Sequence, residues 1–295
     1  MKFYVSKYCG FCFGVSLAVK AAYDNLGGSK KLLMYGDVVH NHVVIQDLES
    51  AGAKVIDDIS EIDEYDSAKV LIRAHGVSRK EIFDLRRKNI EVIDKTCPKV
   101  KKVHDIVEAA SEKGLDILIV GNSNHPEIVG IVGWSSTKVV VIKDLEDAKD
   151  KIPATKFSEN GVCIVVQTTF NSKNLEGIYE YCNQHIPNIE FHNTICNATA
   201  NRQDEIRELA QKVEFVIIVG GKTSSNSIKL YEIASDYCNY TQHIETEDEI
   251  DFSIVDKVSS ITLSSGSSTP DSSINATVAA IQEYCKKNNV SVEMM

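Results

Sequence analysis

Short, almost purely apolar runs alternate along the chain with longer amphipathic stretches. Runs of four or five apolar residues are too short for helices and are typical of strands buried on both faces of a parallel sheet. The stretches between them carry apolar residues three or four positions apart, which predicts helices. The predicted strands fall at residues 2–6, 31–35, 54–56, 69–72, 117–120, 138–142, 162–166, 215–219 and 260–263. The pattern therefore indicates an α/β fold built on parallel sheets.

One succession of elements occurs three times. A cysteine opens a helix, the helix leads into an apolar strand, and a glycine follows the strand, always 24 residues after the cysteine. The cysteine–glycine pairs are Cys12 with Gly36, Cys97 with Gly121, and Cys196 with Gly220. Four residues beyond these glycines stand His40, His125 and Ser224, in that order. Three copies in register indicate a triplicated module rather than chance.

The repeat predicts three α/β modules related by a pseudo-threefold axis, each with a small, mostly parallel sheet. We place the modules at residues 1–96, including an N-terminal strand, 97–195 and 196–295. We also expect the C-terminal tail to pack back on the first module. In open parallel sheets, ligands bind beyond the carboxyl ends of the strands. The polar loops of this chain follow predicted strands, so they are expected at that edge.

Composition narrows the class of partner. The hydrophobic fraction of 43% and the charged fraction of 25% describe an ordinary globular protein. The formal net charge of −10 argues against nucleic acid or an anionic membrane surface as the main partner. The chain shows no long apolar run, and residues 1–14 lack the basic and apolar regions of a signal peptide. We therefore expect a cytoplasmic protein. We also expect it to be a monomer.

The repeated cysteines are candidate metal ligands. A helix N-terminus favours a thiolate, because its backbone N–H groups carry partial positive charge. If a pseudo-threefold axis brings Cys12, Cys97 and Cys196 together, three thiolates need a cation between them. Zinc with three thiolates is one possibility. A 4Fe–4S cluster suits single cysteines from separate modules better, and three cysteines leave its fourth iron open to a substrate oxygen.

The other five cysteines are assigned different roles. Cys9 forms a Cys-x-x-Cys motif with Cys12, which by itself could indicate a redox pair. Only Cys12 keeps the 24-residue register, so Cys9 is predicted to be a neighbour of the site. The remaining cysteines lie inside predicted strands or helices and are expected to be buried core residues: Cys163, Cys182, Cys238 and Cys285.

The strand-end loops are rich in neutral hydrogen-bond donors and poor in Lys and Arg. They supply His40, His75, His125, Thr168, Ser224, Ser225, Asn226 and Ser268. Hydroxyls, amides, imidazoles and backbone N–H groups can hold a buried phosphate or diphosphate without a metal. Taken singly, a serine or threonine here could equally be a helix cap. Residues 220–223 are excluded as a P-loop, since Val216 occupies the position of its first glycine.

Glu127 lies on the same loop as His125. A carboxyl group in a water-poor site has a raised pKa and can deliver protons at neutral pH. The alternative is an acidic residue placed at a helix N-terminus, where the helix dipole stabilises it. The sequence leaves both interpretations open.

The motifs around these residues closely resemble those of the 4-hydroxy-3-methylbut-2-enyl diphosphate reductase family, the last enzymes of the non-mevalonate isoprenoid pathway. The similarity spans almost the whole chain, in the family's order. It comprises Gly10-Phe11-Cys12, Val39-His40-Asn41, Ala74-His75-Gly76-Val77-Ser78, Thr96-Cys97-Pro98, His125-Pro126-Glu127, Gln167-Thr168-Thr169, Asn201-Arg202-Gln203, Ser224-Ser225-Asn226-Ser227 and the stretch from Gly266 to Asp271.

The resemblance implies three α/β modules around a 4Fe–4S cluster held by Cys12, Cys97 and Cys196. It implies two-electron cleavage of the allylic C–O bond, with Glu127 relaying protons beside Thr168 and His125. A reduced ferredoxin or flavodoxin would supply the electrons. The implied diphosphate ligands are His40, His75, His125, Thr168, Ser224, Asn226 and Ser268, with Thr199 and Ser225 lining the same pocket. The chain departs from the family pattern at Cys9, Phe13 and Ala200.

Two other classes of function compete with this interpretation. An enzyme like quinolinate synthase also places three α/β modules around a three-cysteine cluster. Its carboxylate substrates would call for arginines near the strand ends, where this chain offers Arg73. A non-enzymatic iron–sulfur sensor would bind a cluster without turnover, and it would not need the set of polar strand-end residues.

Overall fold

The computed structural model describes residues 1–88 and 90–295. Its strands are β1 (Lys2–Val5), β2 (Lys31–Tyr35), β3 (Lys54–Ile56), β4 (Ala68–Ile72), β5 (Glu91–Asp94), β6 (Asp116–Val120), β7 (Val139–Ile142), β8 (Val162–Val166), β9 (Ile189–Phe191), β10 (Phe215–Val219), β11 (Tyr240–Ile244), β12 (Ser260–Ser265) and β13 (Glu293–Met294). Its α-helices are α1 (Phe13–Asp24), α2 (His42–Ser50), α3 (Arg79–Arg87), α4 (Pro98–Glu112), α5 (Pro126–Val132), α6 (Leu145–Ala154), α7 (Ser172–His185), α8 (Asn197–Ala210), α9 (Ser225–Ser235), α10 (Phe252–Val255) and α11 (Asp271–Lys287). Short 3₁₀ helices occupy Ile59–Glu64 and Glu247–Glu249.

The chain forms two compact units. Unit 1 comprises residues 1–15, 40–44 and 197–295, and unit 2 comprises residues 16–39 and 45–196. Unit 1 contains one sheet with the strand order β11-β10-β12-β1-β13. Unit 2 contains two sheets, with the orders β3-β2-β4-β5 and β7-β6-β8-β9. The module boundaries near residues 96 and 195 stay a prediction from the repeat.

All pairings in the three sheets are parallel. The first four strands of each sheet, in the orders given above, follow the same plan. The second of them (β10, β2 or β6) is the strand that a repeated glycine follows, and it lies between two paired neighbours. The predicted fold class, an α/β fold with three small parallel sheets, is confirmed.

The N-terminal strand corrects one part of the predicted organisation. We assigned it to the first module, but β1 lies beside β12 in unit 1, with Lys2 opposite Ser260 and Val5 opposite Leu263. The strand order that the three sheets share explains why β1 lies beside β12. In the other sheets the fourth strand, β5 or β9, directly precedes a repeated cysteine, and β1 precedes Cys12 in the same way. The C-terminal strand β13 pairs with the other edge of β1.

Strands β6, β8 and β10 are almost entirely apolar because both faces of each sheet are covered. In unit 1, Phe215, Ile217 and Val219 pack into one cluster, whereas Val216 and Ile218 pack into another. In unit 2, β6 and β8 divide their side chains in the same alternating manner. Alternation between two apolar layers is what produces a continuous apolar strand rather than an amphipathic one.

Several element boundaries differ from the prediction. Strand β12 continues through Ser264 and Ser265, which the sequence assigned to a loop, because both residues are buried and pair with β10. Helix α7 begins at Ser172, because the Asn171 side chain accepts a hydrogen bond from the Lys173 N–H and caps the helix. Among the described residues, no helix is both long and apolar enough to cross a membrane.

Candidate active site

Each repeated cysteine is fixed at the start of a helix by the same backbone hydrogen bond. The N–H of the cysteine donates to the carbonyl two positions after the end of a strand, namely β12, β4 or β8. The pairs are Cys12 with Ser267 at 3.0 Å, Cys97 with Ala74 at 2.9 Å, and Cys196 with Thr168 at 2.9 Å. Helices α1, α4 and α8 begin at the next residue. The repeat seen in the sequence is therefore also a repeat in hydrogen bonding.

Burial separates these three cysteines from the predicted core cysteines. Cys12, Cys97 and Cys196 are half-buried. Burial raises the pKa of the Cys163 thiol to about 12 and that of Cys182 to about 11. Burial also raises the thiol pKa of Cys238 and of Cys285. The buried group thus disfavours the thiolate that a metal requires.

Cys9 is half-buried like the repeated cysteines, but its packing contacts are apolar. It packs beside the apolar cluster around Phe215, and its Sγ lies 3.9 Å from the carbonyl oxygen of Leu263. Burial raises the pKa of its thiol, against smaller opposing effects of Ser265 and Ser6. This environment supports the interpretation of Cys9 as a neighbour rather than a metal ligand.

A second set of loops begins at the repeated glycines. The N–H of each glycine donates to the last carbonyl of the adjacent strand at 2.8 Å, in the pairs Gly36 with Ile56, Gly121 with Ile142, and Gly220 with Ile244. His125 then caps α5 and Ser224 caps α9. His40 differs, since Asn41 makes the capping contact of α2 through Oδ1, 3.2 Å from the N–H of Val44.

Glu127 is a deeply buried carboxyl group in unit 2. Its side chain is 2% exposed. One carboxylate oxygen accepts the N–H of Thr168 at 2.7 Å, and the other accepts its hydroxyl at 2.6 Å. Burial raises the pKa of Glu127, and the hydrogen bonds from Thr168 oppose that rise. Glu127 is therefore held in place by both of its oxygens, as a carboxyl group whose burial favours the protonated form.

His125 is oriented by the same loop. Its Nδ1 accepts the N–H of Glu127 at 3.1 Å, so in the neutral ring the proton lies on Nε2. The ring meets His75 edge to face, with ring centroids 5.4 Å apart. Two imidazoles and Glu127 thus share one region of unit 2, a combination that provides proton donors for an anionic ligand.

The loop that carries His75 depends on Gly76. This glycine has a φ of +73°, and a Cβ placed there would lie 2.7 Å from Cε1 of His104 and 2.9 Å from Cγ2 of Thr96. His104 stacks on Trp134 with ring centroids 4.8 Å apart, and the Trp134 indole N–H donates to the Val77 carbonyl at 2.9 Å. His104 and Thr96 therefore pack directly against Gly76 and confine the loop.

In unit 1, the loops after β10 and β12 form a tight cradle around Ser227. A Cβ at Gly220 or Gly266 would lie 2.3 or 2.0 Å from Ser227 Oγ, and one at Gly221 would lie 2.5 Å from the carbonyl oxygen of His40. The hydroxyl of Ser268 donates to that same carbonyl at 3.0 Å. These positions require glycine because the loops pack against Ser227 and His40 more closely than a Cβ would allow.

Asn226 lies in this cradle with an unsatisfied amide. Its side chain is 2% exposed, and neither Nδ2 nor Oδ1 has a hydrogen-bond partner within residues 1–88 and 90–295. A buried amide without partners costs stability. An unsatisfied amide at this position is consistent with a residue that hydrogen-bonds a polar ligand. Thr199 and Ser224 are also buried in unit 1, and Ser225 begins α9.

The family assignment follows from the sequence comparison. A family model described as LytB protein matches residues 3–282. The chain belongs to the LytB family. It is 39% identical over 284 residues to the 4-hydroxy-3-methylbut-2-enyl diphosphate reductase of Caldanaerobacter subterraneus subsp. tengcongensis, covering 96% of this chain and 97% of the relative. It is 37% identical to the enzyme of the same name from Pelobacter propionicus, covering 98% and 100%.

Solved structures lead to the same LytB family. The chain resembles the E-1-hydroxy-2-methyl-but-2-enyl-4-diphosphate reductase of Plasmodium falciparum with a TM-score of 0.88 and 26% identity, covering 100% of this chain and 91% of that one. It also resembles a structure described as (E)-4-hydroxy-3-methyl-but-2-enyl diphosphate reductase, the terminal enzyme of the non-mevalonate pathway. That match has a TM-score of 0.68 and 34% identity, covering 96% and 99%.

Residues that support the loops were missed as site residues, although the LytB motifs contain them. Gln167 accepts the N–H of Asn122 at 3.0 Å and donates to Thr169 Oγ1 at 3.1 Å, which ties the loops after β6 and β8 together. Arg202 donates to the Gly10 carbonyl at 2.8 Å and fixes the turn before Cys12. The available signal for Arg202 was a charged residue six positions after a repeated cysteine, within the helix that the cysteine opens.

Proposed function

We propose that this chain catalyses the reductive dehydroxylation of 4-hydroxy-3-methylbut-2-enyl diphosphate to isopentenyl diphosphate and dimethylallyl diphosphate. The reaction consumes two electrons and two protons, cleaves the allylic C–O bond and releases water. The observation that carries the proposal is the clamp between Glu127 and Thr168. Thr168 also accepts the N–H of Cys196, so one residue connects a buried proton carrier to a repeated cysteine.

The residues present fit an iron–sulfur cluster. Cys12, Cys97 and Cys196 are half-buried and held at helix starts by identical contacts, unlike the buried cysteines. We propose these three as the cluster ligands. When bound, a 4Fe–4S cluster supplies electrons and an open, Lewis-acidic iron. The helix N-termini favour the thiolate form of each ligand.

The diphosphate is proposed to bind the strand-end residues by hydrogen bonds. The Asn226 amide, which has no partner within the described residues, supports a polar ligand of this kind in unit 1. The proposed ligands are His40, His75, His125, Thr168, Ser224, Asn226 and Ser268, with Thr199 and Ser225 lining the pocket. Hydrogen bonds to charged groups contribute about 1.5–3 kcal/mol each, so a few of them hold a diphosphate without a metal.

Protons reach the substrate through Glu127. Burial raises the pKa of its carboxyl group, which favours the protonated form that donates. The Thr168 hydroxyl lies 2.6 Å from the carboxylate, which is a suitable distance for passing a proton onward. His125, whose Nδ1 already accepts a hydrogen bond, directs Nε2–H toward an anionic group. In this arrangement Glu127 carries the proton, Thr168 relays it and His125 donates a hydrogen bond to the anionic group.

The partners of the reaction are proposed on the same basis. An external one-electron carrier, a reduced ferredoxin or flavodoxin, delivers the electrons in the cytoplasm to a monomeric enzyme. The decisive experiment is turnover by anaerobically reconstituted protein with the hydroxylated diphosphate and reduced methyl viologen. We expect both isoprenoid diphosphates to form only when the reductant is present. Two outcomes would refute the proposal. One is equal product formation with and without reduced methyl viologen, and the other is the absence of both products from cluster-loaded protein.

A further inference from the structure

Trp134 is the only tryptophan in the chain, and it lies at the C-terminal end of helix α5. Its backbone N–H donates to the Ile131 carbonyl at 3.0 Å, which ties it to the last turn of the helix. The other end of α5 begins after its N-cap His125 and carries Glu127 in its first turn. One short helix therefore connects the tryptophan to two of the proposed site residues.

The indole of Trp134 reaches the His75 loop, which comprises residues 73–78 between β4 and α3. Its Nε1–H donates to the Val77 carbonyl at 2.9 Å. Val77 precedes Ser78, the N-cap of α3, so its carbonyl lies outside the hydrogen-bond ladder of that helix. Val77 is buried, and a buried carbonyl needs a donor. Trp134 is the donor that the structure gives it.

The end of α5 also packs directly on the backbone of this loop. A Cβ built at Gly130 would lie 3.5 Å from the carbonyl carbon of Gly76, which is ordinary van der Waals contact. A Cβ at Gly133 would lie 2.2 Å from Cβ of Ser78, which is closer than any side chain allows. Residues three positions apart share one face of a helix. This face of α5 therefore lies against the His75 loop.

The ring of Trp134 is held by a second helix. It stacks on His104 of α4, with ring centroids 4.8 Å apart and an interplanar angle of 16°. Burial lowers the pKa of His104 to about 4, so the stacked imidazole is neutral at neutral pH. The same imidazole confines Gly76. The indole is thus fixed on its ring face by His104 and on its edge by Val77.

The His75 loop is consequently contacted from both ends of α5. At the N-terminal end, the ring of the N-cap His125 meets the His75 ring edge to face, with centroids 5.4 Å apart. At the C-terminal end, Trp134 donates to Val77. Contacts at opposite ends of one rigid element fix both the position and the orientation of a loop, which is how supporting residues preorganise a binding site.

We propose that Trp134 is a positioning residue for the substrate diphosphate, which it serves by holding His75 at a fixed distance from His125. The inference rests on the proposed function, in which both histidines bind the diphosphate. Without the indole N–H, the Val77 carbonyl loses its donor and the loop moves away from α5. The clamp between Glu127 and Thr168 does not include this loop. The loss should therefore fall on substrate binding rather than on proton delivery.

The test compares two substitutions that each remove one side-chain donor from a backbone carbonyl of unit 2. Trp134→Phe keeps an aromatic ring to stack on His104 and removes the indole N–H. Thr137→Val is the matched control, because the Thr137 hydroxyl donates to the Leu115 carbonyl at 2.6 Å. Steady-state kinetics of the cluster-loaded proteins with reduced methyl viologen gives kcat and the KM for the hydroxylated diphosphate.

We expect Trp134→Phe to raise the KM by about tenfold while kcat changes by less than about threefold, the pattern of lost binding rather than lost chemistry. Thr137→Val should keep both native constants. An unchanged KM in Trp134→Phe would overturn the proposal, as would an equal rise in both variants. Absence of product from the native protein would instead refute the proposed function.

A second measurement keeps the proposal testable if Trp134→Phe does not fold. Protein labelled with 5-fluorotryptophan contains a single ¹⁹F resonance, since the chain has one tryptophan. The substrate is added to the cluster-loaded protein without reductant, so that it binds without reacting. We expect the resonance to shift in the native protein and to shift much less in His75→Ala. A resonance that does not move in the native protein, or that moves equally in both proteins, would overturn the proposal.

Discussion

Thr168 donates both its backbone N–H and its hydroxyl to the carboxylate of Glu127, at 2.7 and 2.6 Å. The carbonyl of the same residue accepts the N–H of Cys196. Because a single residue makes all three contacts, Glu127 cannot move independently of the loop that ends at the cysteine. This coupling gives the proposed proton carrier a fixed position, which acid–base catalysis requires.

Glu127→Gln should lower kcat by about a hundredfold or more and change the KM for the diphosphate substrate little. The amide preserves size and can still hydrogen-bond Thr168, but it cannot carry a proton, and a positioned acid–base group contributes about 10²–10⁴-fold. Steady-state kinetics with reduced methyl viologen measures both constants. Glu159→Gln, at an exposed carboxylate, is the matched control. A kcat within a factor of two of the native value would remove Glu127 from the proton path.

The same substitution should change how stability depends on pH. Burial raises the pKa of Glu127 above its ordinary value of 4.5, so the folded state binds the proton more tightly than the unfolded state. Native stability therefore falls as pH rises from 4.5 through the raised pKa, and Glu127→Gln lacks this loss. Urea unfolding of the two apoproteins should show the variant gaining on the native protein as pH rises. A constant difference between pH 4.5 and pH 8 would show that the carboxyl titrates normally.

Much of this site is predictable because the repeat has a physical basis. A parallel sheet brings the carboxyl ends of its strands to one edge, so residues at equal distances after those strands take equivalent places. His125 and Ser224, each four residues beyond a repeated glycine, are both helix N-caps. The cysteine positions follow in the same way, since each cysteine donates to the loop after a strand.

Other features require three-dimensional information. The place of β1 beside β12 depends on a pairing between chain ends more than 250 residues apart, which no local pattern encodes. Consecutive polar residues at the end of an apolar run predict a loop. The predicted strand therefore ended before Ser264 and Ser265, which the structure pairs with β10. The clamp between Glu127 and Thr168 links residues 41 positions apart. The sequence suggested both residues, but only the structure shows their contact.

Asn226→Ala should affect affinity and stability in opposite directions. The buried amide has no partner within the described part of the chain, so its removal should leave the apoprotein as stable as before or more stable. Loss of a hydrogen bond to a charged diphosphate should weaken substrate binding by about tenfold or more. Thermal unfolding and the KM for the substrate test the two expectations. Strong destabilisation with an unchanged KM would make Asn226 a structural residue.

Gly76→Ala should destabilise the protein more than Gly27→Ala does. The two glycines have nearly equal φ values, +73° and +72°, so the backbone cost of about 1–2 kcal/mol is common to both. A Cβ at Gly27 meets nothing within 4 Å, whereas one at Gly76 collides with His104 and Thr96. Overpacking of this kind costs about 1–3 kcal/mol more.

Denaturant unfolding of the two variants isolates the contribution of the contacts around the His75 loop. Gly76→Ala should also raise the KM for the substrate, because displacement of the loop moves His75, and Gly27→Ala should not. Equal destabilisation by both substitutions would show that His104 and Thr96 do not confine the loop.

The most direct measurement counts iron and sulfide in anaerobically reconstituted protein carrying single cysteine substitutions. The native chain should bind about four irons and four sulfides. Cys12→Ala, Cys97→Ala and Cys196→Ala should each lose most of both, together with the visible chromophore. Cys9→Ala and Cys163→Ala, at the neighbouring and the buried cysteine, should retain the full count. Full retention by any one of the first three variants, or equal loss in Cys9→Ala, would contradict the assignment of the three repeated cysteines as ligands.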